Sequence, residues 1–117
     1  MKALTLKQPL ANMIVQGKKT IETRMWRTNH RGWLLITSSK KPDIKPAGHV
    51  LAVVYLGDCR PMVKEDEKKA CYKFRENAHA WIFHTIYKLK NPFPVRGYTG
   101  FFNVDYEPKV DELKQVF

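Results

Sequence analysis

One carboxylate, Glu22, lies among lysine and arginine residues between Gly17 and Lys41, and Arg24 follows it by two positions. Side chains two residues apart on a β-strand point to the same face, so Glu22 and Arg24 are predicted neighbours. An exposed ion pair of this kind contributes at most about 1 kcal/mol and requires no function. The same pair also suits a ligand, because a guanidinium binds phosphates or base edges and a carboxylate accepts from exocyclic amines. The spacing alone leaves both interpretations open.

Two pairs of polar residues flank the first predicted helix. Lys18 and Lys19 follow its end, where cations complement the negative helix terminus. Either lysine can also contact a phosphate, or act as a base once it is desolvated. Lys7 and Gln8 precede the helix, where an anion would meet free N–H groups. Each pair therefore has a structural and a ligand-binding interpretation.

Three predicted loops carry side chains that suit a phosphate-bearing ligand. Hydroxyls and cations bind phosphate oxygens, tyrosine stacks on bases, and nearby glycines let backbone approach a ligand. Each loop is equally compatible with an ordinary solvated turn. The candidate residues are His30 and Arg31, then Ser38, Ser39 and Lys40, then Arg96 and Tyr98.

Alternating patterns predict the elements that must position these residues. We expect a strand over 1–6, a helix that begins at Pro9 and closes at Gly17, and a strand from Lys19 that carries Glu22, Arg24 and Trp26 on one face. A second strand covers 33–39, and a β-branched strand from residue 49 to 58 is apolar on both faces, which predicts a central place in the sheet.

The second half predicts a surface helix over 61–77, a long strand from residue 79 to Pro92, a turn at 96–100 and a final strand over 101–106. Pro108 is expected to start a short helix that runs to Leu113. Roughly six strands with two or three short helices indicate an α+β fold built on a mixed β-barrel. We expect one domain over residues 1–117.

The composition limits the class of function. The 117 residues carry a formal charge of +10, which suits a polyanion such as a nucleic acid. Cys59 and Cys71 form no metal or disulfide pattern, the histidines show no ligand spacing, and no P-loop or GxGxxG motif is present, so we expect no metal and no cofactor. Without a signal peptide or membrane-length apolar run, the expected location is the cytoplasm, with no membrane contact.

Together these segments resemble the activating signal cointegrator homology (ASCH) domain over nearly the whole chain. The resemblance rests on a Gln-Pro helix start, a Gly-x-Lys-x-x-Glu-x-Arg strand, a His-Arg-Gly turn, an apolar strand that ends in small residues and Lys, and a late Gly-x-x-Gly-Phe-Phe segment. The corresponding positions are Gln8, Pro9, Gly17, Lys19, Glu22, Arg24, Trp26, His30, Arg31, Gly32, Ser38, Ser39 and Lys40.

The resemblance implies a PUA-like barrel with a cleft lined by this strand, in a family of RNA- or nucleic-acid-binding modules. Of the two polymers, we expect RNA rather than DNA as the ligand. It favours Glu22 and Arg24 as a cleft pair. On the nucleic-acid hypothesis, Trp26, Trp33 or Tyr98 stacks on a base, although Trp33 is equally compatible with a core position. The cations expected to follow the phosphates are Lys7, Lys18, Lys19, Arg24, Arg27, Arg31 and Lys40, and the further ligand-binding candidates are Gln8, His30, Ser38, Ser39 and Arg96.

A second hypothesis is a hydrolase of RNA or of a modified nucleoside such as N4-acetylcytidine, with Lys19 and Glu22 as the catalytic pair. Family members that remove this acetyl group carry a catalytic threonine where this chain has Glu22, which argues against the amidohydrolase activity. A third hypothesis is a protein-interaction domain that uses residues 64–75.

Overall fold

The computed structural model describes residues 1–117. Seven strands and four short helical segments follow one another along the chain. They are β1 (Lys2–Leu6), α1 (Leu10–Val15), β2 (Ile21–Arg24), β3 (Gly32–Ser38), β4 (His49–Pro61), a 3₁₀ turn (Lys64–Asp66), α2 (Glu67–Ala70), β5 (His79–Pro94), β6 (Phe101–Asn103), a second 3₁₀ turn (Val110–Glu112) and β7 (Leu113–Gln115).

The strands form one curled mixed sheet, a half-barrel with the order β2-β5-β4-β3-β1-β6. Neighbouring strands are antiparallel except β1 and β3, which are parallel, and β7 pairs separately with β5. Strand β4 lies between β3 and β5, as its apolar pattern predicts. The expected α+β architecture of about six strands and a few short helices is confirmed.

The main core lies inside the curl of the sheet. Trp81 and Phe83 of β5 and Leu34 of β3 are almost completely buried there. Helix α1 closes this side with Ala11 and Ile14, the two residues of the helix that are fully buried. A smaller apolar cluster covers the other face of the sheet and includes alternate residues of the same strands.

Helix α1 ends as its sequence predicts. Gly17 has φ +75°, the left-handed conformation that glycine adopts without penalty, and its N–H donates to the carbonyl of Ile14. The following Lys18 N–H donates to the carbonyl of Met13, so the chain turns sharply into β2. No helix of the structure is long and apolar enough to cross a membrane.

The helix predicted over 61–77 is wrong. Only one 3₁₀ turn and one α-helical turn form, and Cys71, at φ +54°, ends the helical conformation. Val63, Ala70 and Phe74 recur at rough helical spacing as an apolar stripe, but Val63 and Phe74 are exposed and only Ala70 is buried. Two exposed members of the stripe provide too little burial to stabilise a longer helix.

Further boundaries differ from the prediction. Strand β2 covers only Ile21–Arg24, β4 continues to Pro61, and β6 ends at Asn103. Strand β5 does not end at Pro92 but continues to Pro94, because Phe93 and Pro94 pair with the start of β4. The C-terminal segment forms only a 3₁₀ turn before β7, whose Leu113 pairs with Leu89 of β5. The edge of β5 thus supplies hydrogen-bond partners that a short isolated helix lacks.

Candidate functional site

Glu22 occupies the centre of the site on β2. The strand pairs with β5 so that Glu22 lies opposite Trp81, at the end of the main core. The carboxylate is buried and contacts two cations: its Oε1 lies 3.2 Å from the Lys19 Nζ, and its Oε2 accepts a hydrogen bond of 2.8 Å from the Arg24 Nε. The predicted neighbours on β2 thus form an ion pair.

Lys19 is completely buried rather than exposed at the end of α1. Its ammonium donates to the carbonyl oxygens of Ile21 and Ala70 and contacts Glu22, so three acceptors meet its three N–H groups. Burial lowers the pKa of Lys19, and the adjacent Glu22 carboxylate partly offsets this effect. The main cause of the lowered pKa is therefore desolvation, whereas Arg24 has a minor effect.

Arg24 is held from two sides and faces open space. Its Nε donates to Glu22, and its Nη2 donates to the backbone carbonyl of Thr5 on β1 over 2.8 Å. These bonds leave Nη1 for an incoming acceptor, and 22% of the side chain is exposed. A guanidinium fixed in this way is preorganised, since little freedom remains to be lost when a ligand binds.

The pair lies in an open cleft of about 960 Å³ between β1, β2 and the loops around residues 40, 72 and 98. The cleft contains one carboxylate, Glu22, which is already paired. Its five cationic side chains are Lys7, Arg24, Lys40, Arg75 and Arg96. The field inside the cleft is consequently positive and attracts anions.

Aromatic side chains accompany these cations. The Arg75 guanidinium lies 5.2 Å from the ring centre of Tyr72, and the Arg96 guanidinium lies 5.5 Å from that of Tyr98. Both tyrosines are about half exposed. Trp26 packs edge-on against Trp81 at 4.7 Å between ring centres and keeps 39% of its surface exposed. Flat aromatic and guanidinium surfaces beside phosphate-binding cations are suited to stacked bases.

Nine of the residues predicted from the sequence line this one cleft. They come from four separate parts of the chain, which the sheet and its loops bring together. They are Lys7, Glu22, Arg24, Trp26, Ser38, Ser39, Lys40, Arg96 and Tyr98.

The other predicted residues lie elsewhere. Gln8 is buried and binds Asn12 and the carbonyl of Pro46, and so fixes the start of α1. The side chain of Lys18 is exposed outside the cleft, and Lys19 lies beneath the cleft.

His30 and Arg31 lie in a separate segment before β3. Arg31 donates to the carbonyl of Thr28, and His30 lines a second, more apolar groove together with Trp33, an exposed residue of β3. Arg27 is also exposed and does not line the cleft.

Three contributors were missed by the sequence reasoning. Thr5 acts through its backbone carbonyl, which no side-chain pattern reveals. Tyr72 and Arg75 belong to the segment predicted to be a surface helix, and the turn at Cys71 brings them to the cleft. A tyrosine and an arginine three residues apart in a basic loop resemble the Arg96–Tyr98 pair, and this was the available signal.

No cluster of three or more His, Cys, Asp or Glu side chains in the structure is placed to hold a metal ion. The side chains that line the cleft offer ion pairing, hydrogen bonding and stacking.

The fold is that of a known class of domain. The family model of the ASCH domain matches residues 4–93, and the chain belongs to this family. ASCH domains are PUA-like and often bind RNA.

Solved structures agree on the fold. A crystal structure of ASCH from Zymomonas mobilis is 17% identical, with a TM-score of 0.64, and the match covers 80% of this chain and 73% of that one. Two single-substitution variants of ZmASCH from the same organism give TM-scores of 0.62 and 0.60 at 17% and 18% identity, covering 80% of this chain and 75% and 72% of theirs. No match was found among curated proteins.

Proposed function

We propose that this protein binds RNA, in preference to DNA, through the cleft that contains Glu22 and Arg24. The observation that carries the proposal is the convergence of five cations on one cleft whose carboxylate is already paired. The membership in a family that often binds RNA supports the choice of polymer. We extend this proposal to a role in transcription or RNA metabolism, in which the protein would act through its bound RNA.

The cleft suits an unpaired strand. Protein recognition of specific RNA sequences targets unstacked bases, which stack on aromatic rings or arginine planes. Trp26 and Tyr98 offer such rings, while Lys7 and Lys40 lie where they can contact phosphates. Arg24 lines the cleft, and its Nη1, which makes no hydrogen bond within the protein, is available to bond a base edge or a phosphate.

The test is a titration of fluorescently labelled single-stranded RNA at several salt concentrations, with the same sequence as DNA for comparison. If all five cleft cations contact phosphates, log K should fall with log salt with a slope of about −3.5. Arg24→Gln should weaken binding about tenfold, since it removes a charge-assisted hydrogen bond. Lys109→Gln, which makes the same charge change at an exposed site outside the cleft, should have little effect.

Two results would overturn the proposal. The first is the absence of RNA binding at low salt, where electrostatic attraction is strongest. The second is an equal loss of affinity in Arg24→Gln and Lys109→Gln, which would mean that total charge, and not the cleft, determines binding.

The hydrolase hypothesis gains no support from the geometry. A lysine that acts as a base or nucleophile must reach the substrate, but the three N–H groups of Lys19 are bonded inside the protein and its side chain has no exposed surface. The third hypothesis, a protein contact through a helix over 64–75, also gains no support, because that helix does not form and Tyr72 and Arg75 line the cleft.

A further inference from the structure

One wall of the cleft is an excursion of the chain, residues 62–78, between β4 and β5. The N–H of Met62 donates to the carbonyl of Ala78 over 2.9 Å and closes the base of the excursion. Tyr72 and Arg75 lie near its far end and line the cleft. Their position relative to Arg24 therefore depends on what holds the excursion against β2.

The excursion is attached to the chain between α1 and β2 at three consecutive residues. The N–H of Thr20 donates to the carbonyl of Lys69 over 2.9 Å. The Cys71 Sγ lies 3.7 Å from the carbonyl of Lys18, a weak contact. Between them, the buried ammonium of Lys19 donates to the carbonyl of Ala70. This last contact is the charge-assisted one, and such bonds are about twice as strong as neutral ones.

Beyond these attachments the excursion is joined to β4 by the ion pair between Arg60 and Asp66, and its remaining hydrogen bonds are internal. The N–H of Phe74 donates to the Glu67 carboxylate, and the N–H of Ala78 donates to the carbonyl of Arg75. Ala70 ends α2, where helix carbonyls have no partner within the helix. The Lys19 ammonium supplies the missing partner immediately before the chain turns at Cys71 towards the cleft.

We propose that Lys19 is a positioning residue that fixes the Tyr72–Arg75 wall of the cleft relative to Arg24. The proposal rests on the proposed RNA-binding function of the cleft. One ammonium bonds the Glu22 carboxylate, which orients Arg24, and the Ala70 carbonyl, which anchors the wall. Lys19 thus couples two walls of the cleft without touching the ligand.

The first measurement is amide hydrogen exchange of the free protein. In Lys19→Met, amides of residues 71–77 should exchange at least several-fold faster, while amides of β3 and β4 keep their wild-type rates. Lys19→Met leaves Glu22 with a single cation, so a double variant, Lys19→Met with Glu22→Gln, is measured in parallel. The double variant removes both buried charges and should show the same faster amide exchange at residues 71–77. Lys18→Met, an adjacent exposed lysine, is the matched control and should leave residues 71–77 unchanged.

The second measurement is a double-mutant cycle on RNA affinity. Arg75→Gln should weaken binding about fivefold in the wild-type background and less than twofold in the background of Lys19→Met with Glu22→Gln, since the wall is then already displaced. In the Lys18→Met background the fivefold effect should persist.

The outcomes separate this inference from the function on which it rests. If the wild type binds no RNA, the proposed function fails, and a role in binding for Lys19 fails with it. If the wild type binds RNA but the Arg75→Gln effect is unchanged without Lys19, or exchange rises equally throughout the sheet, then Lys19 is only a structural residue and the inference is overturned.

Discussion

The ion pair between Arg60 and Asp66 gives the sharpest test of how the cleft wall is stabilised. The Arg60 Nη1 and Nη2 each donate to an Asp66 oxygen over 2.8 Å, and the N–H of Val63 donates to the same carboxylate over 2.9 Å. Asp66 is buried, whereas 40% of the Arg60 side chain is exposed. The pair joins the end of β4 to the excursion that carries Tyr72 and Arg75.

We predict that Asp66→Asn lowers the free energy of unfolding by about 2 kcal/mol. A bidentate, charge-assisted pair with a third backbone donor is stronger than a surface ion pair, although the exposure of Arg60 reduces its contribution. The asparagine amide would also direct an N–H group at a guanidinium that can only donate. For 117 residues this corresponds to a fall of about 8 °C in Tm.

The effect should depend on pH with a defined sign. The hydrogen bonds from Arg60 hold the pKa of Asp66 below its ordinary value. Ionised Asp66 therefore stabilises the folded state fully at pH values above the ordinary aspartate pKa, and this contribution is lost as the pH falls through the lowered pKa. The difference in Tm between wild type and Asp66→Asn should be largest near pH 7 and shrink progressively as the pH falls below the ordinary aspartate pKa of about 4.

The assay is thermal unfolding followed by circular dichroism from pH 7 to pH 2. Asp43→Asn is the matched control, because its partner Lys45 lies 3.0 Å away but both side chains are largely exposed. An exposed pair contributes little, so this variant should unfold close to the wild-type temperature. The reasoning is refuted if the two variants lose equal stability at pH 7, or if the Asp66→Asn deficit does not change with pH.

Two further predictions concern a turn and the cleft rim. Gly17→Ala should lower the free energy of unfolding, measured by chemical denaturation, more than Gly100→Ala does. Both glycines have positive φ (+75° and +67°), but only a Cβ at Gly17 would meet a backbone atom, the Val116 oxygen at 2.8 Å. Equal losses of stability in the two variants would contradict this explanation. Tyr98→Leu should weaken RNA binding by about 1 kcal/mol, while Tyr98→Phe should keep most of the affinity, because stacking with a base or with Arg96 needs the ring and not the hydroxyl. Titration of the same labelled RNA measures the affinity of both variants. Equal losses of affinity would contradict a stacking role.

Local signals in the sequence were enough to predict much of the sheet. Pro9 and Gly17 delimit α1 because proline needs no N–H there and glycine tolerates positive φ. The apolar run from His49 places β4 centrally because such a strand must be covered on both faces. The period of two places Glu22 and Arg24 together, and the structure joins them by a hydrogen bond.

The features that could not be predicted depend on contacts between distant segments. The burial of Lys19 could not be predicted, because the acceptor of its ammonium, the carbonyl of Ala70, lies far along the chain and belongs to the backbone. The left-handed turn at Cys71 is equally invisible, since cysteine rarely adopts positive φ. Tyr72 and Arg75 were therefore assigned to a helix rather than to the cleft.

The lone carboxylate among the cations has a physical explanation in this arrangement. A buried ammonium without a counter-charge would lose its proton or destabilise the fold, so Lys19 requires an acid. Glu22 meets that need with one oxygen and orients Arg24 with the other. One negative charge between two cations leaves the group with a net positive charge, so the cleft can still attract an anion. Replacing Glu22 with a neutral residue would add positive charge to the cleft but release the guanidinium that it orients, which is why more charge there need not give tighter binding.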